Sequence, residues 1–202
     1  MQFLCLDMEG VLTPEIWHHV RERTGVSELG LTTRDVKDYR ELMDKRVEIC
    51  ARHGVTLAQI QKYIGELQPL PGAREFLDWA RARMQVVILS DTFQEFAGPF
   101  MRQLGEPLLL CHSIAFDESA QRLRYTLRQE DAKRKAVEGF RAMNFQVIAV
   151  GDSYNDIPML QAAHGAAFFR APDSIVGEFP QFSAMREYAE LKNYLAKSSE
   201  IV

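Results

Sequence analysis

The sequence has 202 residues, 47% of them hydrophobic, which suits a single domain with a core of its own. Its formal net charge is −4, and acidic and basic residues are mixed along the chain without a basic stripe. No apolar run approaches the ~20 residues that a membrane-spanning helix needs. We therefore expect neither a nucleic acid nor a membrane as a partner.

The start of the chain and its cysteines favour a cytoplasmic location. Residues 1–3 lack the basic region of a signal peptide and lead directly into a predicted strand. Cys5, Cys50 and Cys111 are odd in number and form no C-x-x-C motif, as expected of small buried side chains in a reducing compartment. Cys111 and His112 could form a catalytic pair. An ordinary cysteine beside an ordinary histidine explains them better, because no metal or triad pattern surrounds them.

Apolar runs separated by helical patterns predict the core of the protein. The predicted strands are residues 3–6, 85–89, 146–150 and 165–169, and the predicted helices are residues 72–83, 93–104 and 132–143. Continuous apolar strands are typical of a parallel sheet that is covered on both faces. Their alternation with helices indicates an α/β fold with a doubly wound parallel sheet.

Two segments depart from this alternation. Residues 14–68 contain several helical patterns and no convincing strand, so we expect a helical insertion over the end of the sheet where the first strand stops. Residues 108–128 indicate a strand followed by a hairpin. Pro99 falls inside the predicted helix 93–104, where we expect a kink or a late helix start, because proline has no backbone N–H.

Three of the predicted strands end in polar residues. Residues 7–9 (DME) follow the first strand, residues 90–92 (SDT) follow the second, and residues 151–156 (GDSYND) follow the third. Ligands of open α/β sheets bind beyond the carboxyl ends of the strands. The three tips can therefore line one crevice that contains at least three carboxylates and a hydroxyl.

Each of these motifs also has a purely structural explanation. Ser90 to Thr92 could cap the following helix, and Ser153 with Asp156 matches a capping box. Lys133 would ordinarily be a solvated lysine at a helix start. The combination is improbable by chance. An acid pair, a hydroxyl, a lysine and a second acid pair follow one another along the chain, and all of them except the lysine lie at the ends of predicted strands.

This combination predicts phosphoryl-transfer chemistry. Carboxylates that lie close together repel one another unless a cation is present. Oxygen ligands alone select Mg²⁺, which keeps several waters and often joins a substrate phosphate. A lysine and a serine hydroxyl can then hold the remaining phosphoryl oxygens.

The motifs resemble those of the haloacid dehalogenase superfamily, and specifically its phosphoserine phosphatase branch, over essentially the whole chain. "DMEGV", "ILSDT", Lys133 in "DAKRK" and "GDSYND" are similar to the family's four motifs. The resemblance implies a Rossmann-like core of residues 1–13 and 69–202 with a small α-helical cap at residues 14–68. "DKRVEI", residues 44–49, is similar to the cap segment that supplies a substrate-binding arginine.

The resemblance also implies a role for each matched residue. Asp7 would be the nucleophile and Glu9 the general acid and base. The residues implied to bind the substrate are Glu15, Arg46, Ser90, Asp91, Lys133 and Asn155. Asp7, Asp152 and the backbone carbonyl of Glu9 would bind Mg²⁺, with Gly10 and Asp156 in support. Glu15 would meet the ammonium and Arg46 the carboxylate of an amino-acid substrate.

The chain departs from the common family pattern at a few positions. Glu9 stands where most members have aspartate, Gly10 where a hydroxyl residue usually follows, and Asp91 and Thr92 where most phosphoserine phosphatases have two glycines. "DxEG" with "SDT" resembles a bacterial subgroup of bifunctional phosphoserine phosphatase / phosphoserine:homoserine phosphotransferases. It implies L-phosphoserine as substrate and homoserine as a second phosphoryl acceptor.

Other interpretations remain at this stage. Arg46 falls within an apolar stripe on its predicted helix, so it could be a snorkelling arginine whose stem covers apolar surface. Glu15 could be a first-turn glutamate stabilised by the helix dipole. The chain could act on a different small phosphomonoester, or it could be a non-enzymatic phospho-acceptor similar to a receiver domain. A receiver domain carries its aspartate on a middle strand and has no long cap.

Overall fold

A central sheet with helices on both faces organises the molecule, for which a computed structural model describes residues 1–33, 35–36 and 38–199. The strands are β1 (Gln2–Leu6), β2 (Gln85–Phe93), β3 (Leu109–Asp117), β4 (Arg122–Thr126), β5 (Gln146–Gly151), β6 (Gly165–Phe169) and β7 (Ser183–Met185). The helices are α1 (Ile16–Thr24), α2 (Tyr39–His53), α3 (Leu57–Ile64), α4 (Ala73–Arg81), α5 (Gln94–Gln103), α6 (Ala132–Ala142), α7 (Ile157–Ala162), α8 (Asp173–Glu178) and α9 (Tyr188–Ser199).

The strands lie in the order β4-β3-β2-β1-β5-β6-β7. Neighbouring strands are parallel except β3 and β4, which form an antiparallel hairpin. β1 is central, and its Leu6 lies opposite Ile88 of β2 on one side and Val150 of β5 on the other. The predicted doubly wound α/β sheet is therefore confirmed, as is the hairpin within residues 108–128.

The side chains of β1 explain why its apolar run is continuous. Leu4 and Leu6 pack into the core on one face of the sheet, while Phe3 and Cys5 pack into a second core on the other face with Val137 of α6. Successive side chains of a strand point to opposite faces, so a strand covered on both faces needs apolar residues at every position.

The segment between β1 and β2 forms helices α1, α2 and α3, as its pattern predicts. The chain leaves and re-enters the core at nearby points, because the Leu70 N–H donates to the Leu12 carbonyl at 2.9 Å. Thr56 starts α3 with a capping box to Gln59, which satisfies two backbone groups at the helix start. That these helices act as a cap with limits at residues 14 and 68 stays a prediction.

Pro99 lies inside α5, which begins at Gln94, so of the two alternatives expected there the late helix start is wrong and the kink stays a prediction. Proline leaves the carbonyl four residues earlier, that of Glu95, without its helical partner. The Gln61 side-chain amide of α3 donates to this carbonyl at 3.0 Å. The proline is thus accommodated by a hydrogen bond that also joins the inserted helices to the core.

Two further differences from the sequence predictions concern element ends. β2 continues to Phe93, so the SDT motif lies within the strand instead of after it. The short elements α8 and β7 and the helix α9 have no counterpart among the predictions.

Within the described residues, every helix falls short of the length or the apolar character that crossing a bilayer requires.

Candidate active site

The tips of β1, β2 and β5 meet at one end of the sheet and line a cavity of ≈ 260 Å³ together with residues of the inserted helices. Its lining includes the predicted site residues Asp7, Glu9, Gly10, Glu15, Arg46, Ser90, Asp91, Lys133, Asp152 and Asn155. Asp156 lies immediately behind it, in contact with Lys133. The structure therefore brings together the residues that sequence reasoning selected.

The loop after β1 places Asp7 next to Asp152. The Asp7 N–H donates to the Val150 carbonyl at 2.9 Å, which joins the tips of β1 and β5. Gly10 then turns the chain with φ +78°, and its N–H donates to the Thr13 carbonyl at 2.8 Å. A Cβ on Gly10 would lie 2.3 Å from Asp152 Oδ2. Glycine is needed here both for its backbone conformation and for the close approach of the carboxylate.

Lys133 is the central cation of the site. Only 4% of it is exposed, so its interpretation as a solvated lysine is wrong. Its ammonium lies 2.8 Å from Asp7 Oδ1, 2.7 Å from Asp156 Oδ1 and 3.6 Å from Asp91 Oδ2. Burial disfavours the charge, but the carboxylates raise the pKa of Lys133 well above its usual value. A buried charge of this kind persists because it is paired.

Asp156 has a structural role that also serves the site. Its Oδ2 accepts the N–H groups of Asp152 at 2.9 Å and Ser153 at 3.1 Å, and Ser153 completes the predicted capping box. Its Oδ1 accepts from Lys133. The capping interpretation is confirmed, and the same bonds fix the backbone that carries Asp152.

The acidic end of the cavity fits a divalent cation. Carboxylate oxygens of Asp7, Asp152 and Asp156 lie within 4.8 Å of one another. Burial and the charge of Asp156 raise the pKa of Asp7 to about 8, and burial with the charges of Asp156 and Asp7 raises the pKa of Asp152 well above its usual value. Both oxygens of Asp156 already accept hydrogen bonds, whereas Lys133 engages only Oδ1 of Asp7, so Asp7 and Asp152 are the carboxylates that could hold a metal.

Glu9 faces the inserted helices. Its Oε2 accepts the backbone N–H of Ile16, the first residue of α1, at 2.9 Å. Burial and the nearby charges of Glu15 and Asp7 raise the pKa of Glu9 to about 8, against the opposing effects of the Ile16 N–H and Arg46. The raised pKa favours the protonated form of Glu9, which can donate a proton into the cavity.

Glu15 occupies the N-cap position of α1, and its side chain makes no capping hydrogen bond there. Its carboxylate is exposed and lines the cavity. The interpretation of Glu15 as a residue that stabilises the helix start fits poorly, because the carboxylate bound to that start is that of Glu9.

Arg46 lies buried in the wall of the cavity, with 6% of its surface exposed. Its guanidinium lies 4.6 Å from the ring centroid of Trp17, and its Nη2 donates to the Leu31 carbonyl at 2.6 Å. Its Nε is buried and has no hydrogen-bond partner among the described residues. This burial contradicts the snorkelling interpretation and leaves donor capacity for an anionic ligand.

The SDT motif is tied into the site and does not cap α5. The N-cap of that helix is Phe93, which makes no side-chain hydrogen bond, so the capping interpretation of Ser90 to Thr92 is wrong. Ser90 is buried, and its Oγ accepts the Thr92 N–H at 3.2 Å. Asp91 Oδ2 accepts from the Asn155 amide at 2.9 Å. Asp91 and Asn155 thereby join the tips of β2 and β5.

Sequence reasoning gave Tyr39 no role in the site and interpreted His112 as an ordinary histidine. The Tyr39 hydroxyl donates to the Asp91 carbonyl, so helix α2 touches the core beside the cavity. His112 is 5% exposed, and its Nε2 lies 3.5 Å from Asp91 Oδ1. No motif marks either residue. The available signals were the position of Tyr39 in an apolar stripe and that of His112 on the strand after the SDT motif.

Comparisons with known proteins agree with this geometry. A family model described as a haloacid dehalogenase-like hydrolase matches residues 1–164. Phosphoserine phosphatase ThrH of Pseudomonas aeruginosa is 52% identical over 199 residues, which cover 98% of this chain and 97% of that protein. A phosphoserine phosphatase of Pseudomonas syringae is 51% identical and covers 98% of this chain and 84% of its own. A solved phospho-aspartyl intermediate analogue of phosphoserine phosphatase superposes with a TM-score of 0.78 at 19% identity, over 96% of this chain and 98% of that one.

Proposed function

The chain belongs to the haloacid dehalogenase-like hydrolases, and we propose that it hydrolyses phosphoserine through an aspartyl-phosphate on Asp7. The observation that carries the proposal is the setting of Asp7, which is buried at the tip of β1, 2.8 Å from the Lys133 ammonium and in the same cavity as Arg46. The names of the two Pseudomonas relatives support phosphoserine as the substrate. Family membership argues against a non-enzymatic receiver.

The two ends of the substrate meet different residues. Lys133 and the Ser90 hydroxyl bind the phosphoryl oxygens, because both are buried donors beside Asp7. Arg46 lines the cavity and binds the carboxylate of the amino acid through its guanidinium, which has more N–H donors than its contacts within the protein use. Glu15 binds the ammonium from the rim of the cavity. Phosphoserine carries all of these charged groups, which supports it over a phosphomonoester that lacks the carboxylate and the ammonium.

Asp7 begins the reaction by attacking phosphorus. A bond forms between a carboxylate oxygen of Asp7 and phosphorus while the bond from phosphorus to the serine oxygen breaks. The departing alkoxide is a strong base and takes the proton of Glu9, whose raised pKa of about 8 keeps that proton available near neutral pH. Serine leaves, and Glu9 is then a carboxylate.

Glu9 acts as a base in the second step. It removes a proton from a water molecule, whose oxygen bonds to phosphorus as the Asp7–phosphorus bond breaks. Inorganic phosphate and the original states of Asp7 and Glu9 result. If the hydroxyl of homoserine replaces water, the same steps give phosphohomoserine, and we include this transfer in the proposal. Serine and homoserine differ by one methylene, so one pocket can hold either.

We further propose that Mg²⁺ is the cofactor, held by Asp7, Asp152 and the backbone carbonyl of Glu9. The clustering of carboxylate oxygens within 4.8 Å and the raised pKa values of Asp7 and Asp152 support a cation at this place. Bound Mg²⁺ supplies positive charge that favours ionised Asp7 and offsets the charge of the phosphoryl oxygens.

We also propose a cytoplasmic location for the protein. The free thiols of Cys5, Cys50 and Cys111 support it, because disulfides are rare in a reducing compartment.

³¹P NMR of phosphoserine turnover with Mg²⁺, in the presence and absence of homoserine, tests the proposal. We expect inorganic phosphate in both samples and an additional phosphohomoserine signal when homoserine is present. Asp7→Asn should abolish both signals, because the amide is not a nucleophile. Activity that survives Asp7→Asn would contradict the mechanism. Inorganic phosphate without phosphohomoserine would leave a phosphatase without the transfer activity.

A further inference from the structure

His112 lies behind the phosphoryl end of the cavity on β3, next to β2 in the sheet. Its Nδ1 accepts the backbone N–H of Arg128 at 3.1 Å. An accepting ring nitrogen carries no proton, so the neutral imidazole has its proton on Nε2. That nitrogen lies 3.5 Å from Asp91 Oδ1. The fold thus fixes one tautomer of His112 and directs its donor at Asp91.

Asp91 stands between His112 and the cavity. Its Oδ2 accepts from the Asn155 amide at 2.9 Å and lies 3.6 Å from the Lys133 ammonium. Burial alone would raise the pKa of Asp91, but Lys133 and the hydrogen bonds from His112 and Asn155 hold that pKa well below its usual range. An ionised carboxylate repels phosphoryl oxygens, so the side chain of Asp91 acts on the substrate only through its neighbours.

Asp91 is subject to two competing attractions. Lys133 attracts it toward the cavity, where a close ion pair would occupy the ammonium that phosphoryl oxygens need. His112 and Asn155 hold the carboxylate back at its two oxygens. Without the His112 donor, Asp91 can approach Lys133 and release Asn155, because a buried charge moves to its strongest available partner.

We propose that His112 is a positioning residue of the phosphoryl site, which by holding Asp91 keeps the Lys133 ammonium and the Asn155 amide placed for the phosphoryl group. The inference rests on the proposed function, since it concerns the phosphoryl end of the same cavity. It assigns a role to His112, which lies outside the four motifs. It also assigns Asp91 a role that does not require contact with the phosphate.

Two substitutions separate the two polar contacts of His112, the hydrogen bond from the Arg128 N–H and the 3.5 Å contact with Asp91. In His112→Gln, the side-chain amide can place a donor near the position of Nε2, toward Asp91, while the acceptor for Arg128 is lost. In His112→Asn, an oxygen near the position of Nδ1 can accept from Arg128, while the donor to Asp91 is lost. We expect His112→Asn to lower kcat and to weaken orthovanadate binding by about tenfold each, and His112→Gln to recover most of both losses.

His164→Asn is the matched control. His164 Nδ1 also accepts a backbone N–H, that of Val147, at the same 3.1 Å, but the residue is exposed and lies outside the cavity. We expect its activity and vanadate affinity to equal those of the wild type. If the role of His112 were purely structural, kcat and vanadate affinity of its variants would fall in proportion to their melting temperatures. His112→Gln would then perform no better than His112→Asn, and the inference would be wrong.

A double-mutant cycle with Asp91→Ala completes the test. Once Asp91 is absent, His112→Asn should cause no further loss of vanadate affinity, and two additive losses would overturn the inference.

Measurements with p-nitrophenyl phosphate separate the proposed function from the proposed role of His112. If the wild type cleaves this ester but not phosphoserine, the proposed substrate is wrong. The comparison of kcat and vanadate affinity between His112→Gln and His112→Asn then still tests the role of His112. If phosphoserine is cleaved and His112→Gln retains no more kcat and vanadate affinity than His112→Asn, only the proposed role of His112 is wrong.

Discussion

The two ends of the cavity are built in different ways. At the phosphoryl end, Lys133 of α6 is buried among Asp7, Asp91 and Asp156. Asp7 directly follows β1, Asp91 lies on β2, and Asp156 lies between β5 and α7. At the other end, Arg46 rests against the Trp17 ring and one backbone carbonyl, both belonging to the inserted segment. The phosphoryl end has opposite charges already paired, whereas the amino-acid end contains a buried cation whose Nε has no partner among the described residues.

This difference assigns chemistry and specificity to separate parts of the chain. Strand tips fixed by sheet hydrogen bonds hold groups in place at little entropic cost, which phosphoryl transfer requires. The inserted helices are joined to the core by contacts between side chains, among them the bond from Tyr39 to Asp91 and the bond from Tyr125 to Asp44. We therefore expect substitutions at the phosphoryl end to impair catalysis on any phosphomonoester, and those at the other end to change only which ester is used.

Glu9→Gln should show the largest effect and sharpen the comparison, because glutamine keeps an acceptor for the Ile16 N–H but transfers no proton. We expect kcat/KM for phosphoserine, which covers the steps up to release of serine, to fall by about 10²–10⁴-fold. The kcat/KM for p-nitrophenyl phosphate should fall much less, since its phenolate leaves without a proton, whereas kcat should fall for both esters because Glu9 also activates the water of the second step. Steady-state kinetics on both esters measure this. Equal losses of kcat/KM on both would argue against Glu9 as the acid.

The same residue sets a pH dependence. Because the pKa of Glu9 is raised to about 8, its acid form is present below that pH and is lost as the pH rises through it. The kcat/KM for phosphoserine should therefore decline on the alkaline side, and Glu9→Gln should lack this decline. A wild-type profile without any decline up to pH 10 would contradict the assignment.

Mg²⁺ should stabilise the phosphoryl end in particular. With the metal at 100 times its Kd, the free energy of unfolding should increase by about 2.7 kcal/mol and the melting temperature by roughly 5–10 °C. Asp152→Asn should remove most of this shift. Since the raised pKa of Asp152 reflects the cost of its buried charge, the same variant should be more stable than the wild type without metal. Asp173→Asn, at an exposed aspartate of α8, should change neither value.

Arg46→Ala tests the amino-acid end. Loss of a charged hydrogen-bond partner should raise the KM for phosphoserine by about 10–100-fold. The KM for p-nitrophenyl phosphate, which has no carboxylate, should stay unchanged. Arg52→Ala, on the same helix but in an exposed ion pair with Glu28, is the control and should behave as the wild type. An unchanged KM for phosphoserine in Arg46→Ala would favour a different phosphomonoester as the substrate.

The sequence predicts the strand tips of the site better than its long-range contacts, for a physical reason. Apolar strands reveal a parallel sheet, and the carboxyl ends of such strands lie at one edge, so Asp7, Ser90 and Asp152 could be placed together in advance. The burial of Lys133 depends on ion pairs with residues far along the chain, and its local pattern indicated an exposed side chain. His112 and Tyr39 reach Asp91 through long-range contacts that no motif marks.

Tyr125→Phe is the mildest change and addresses the junction between the two ends. The Tyr125 hydroxyl, on β4, donates to Asp44 Oδ1 at 2.7 Å and lies 3.2 Å from the Arg40 carbonyl, so it ties helix α2 to the core. Its loss should weaken this junction by about 1 kcal/mol. If closure of the inserted helices keeps water from the aspartyl-phosphate, the ratio of phosphohomoserine to inorganic phosphate should fall a few-fold while kcat changes little.

Tyr194→Phe provides the control for this change. Its hydroxyl also donates to a backbone carbonyl, that of Ala166 at 3.0 Å, but the pair lies within the core, away from the inserted helices. The product ratio measured by ³¹P NMR should therefore equal that of the wild type. If Tyr125→Phe and Tyr194→Phe gave the same ratio, the β4–α2 contact would not govern water access. The difference between the two ends would then lie in the residues that line them and not in how firmly the inserted helices are held.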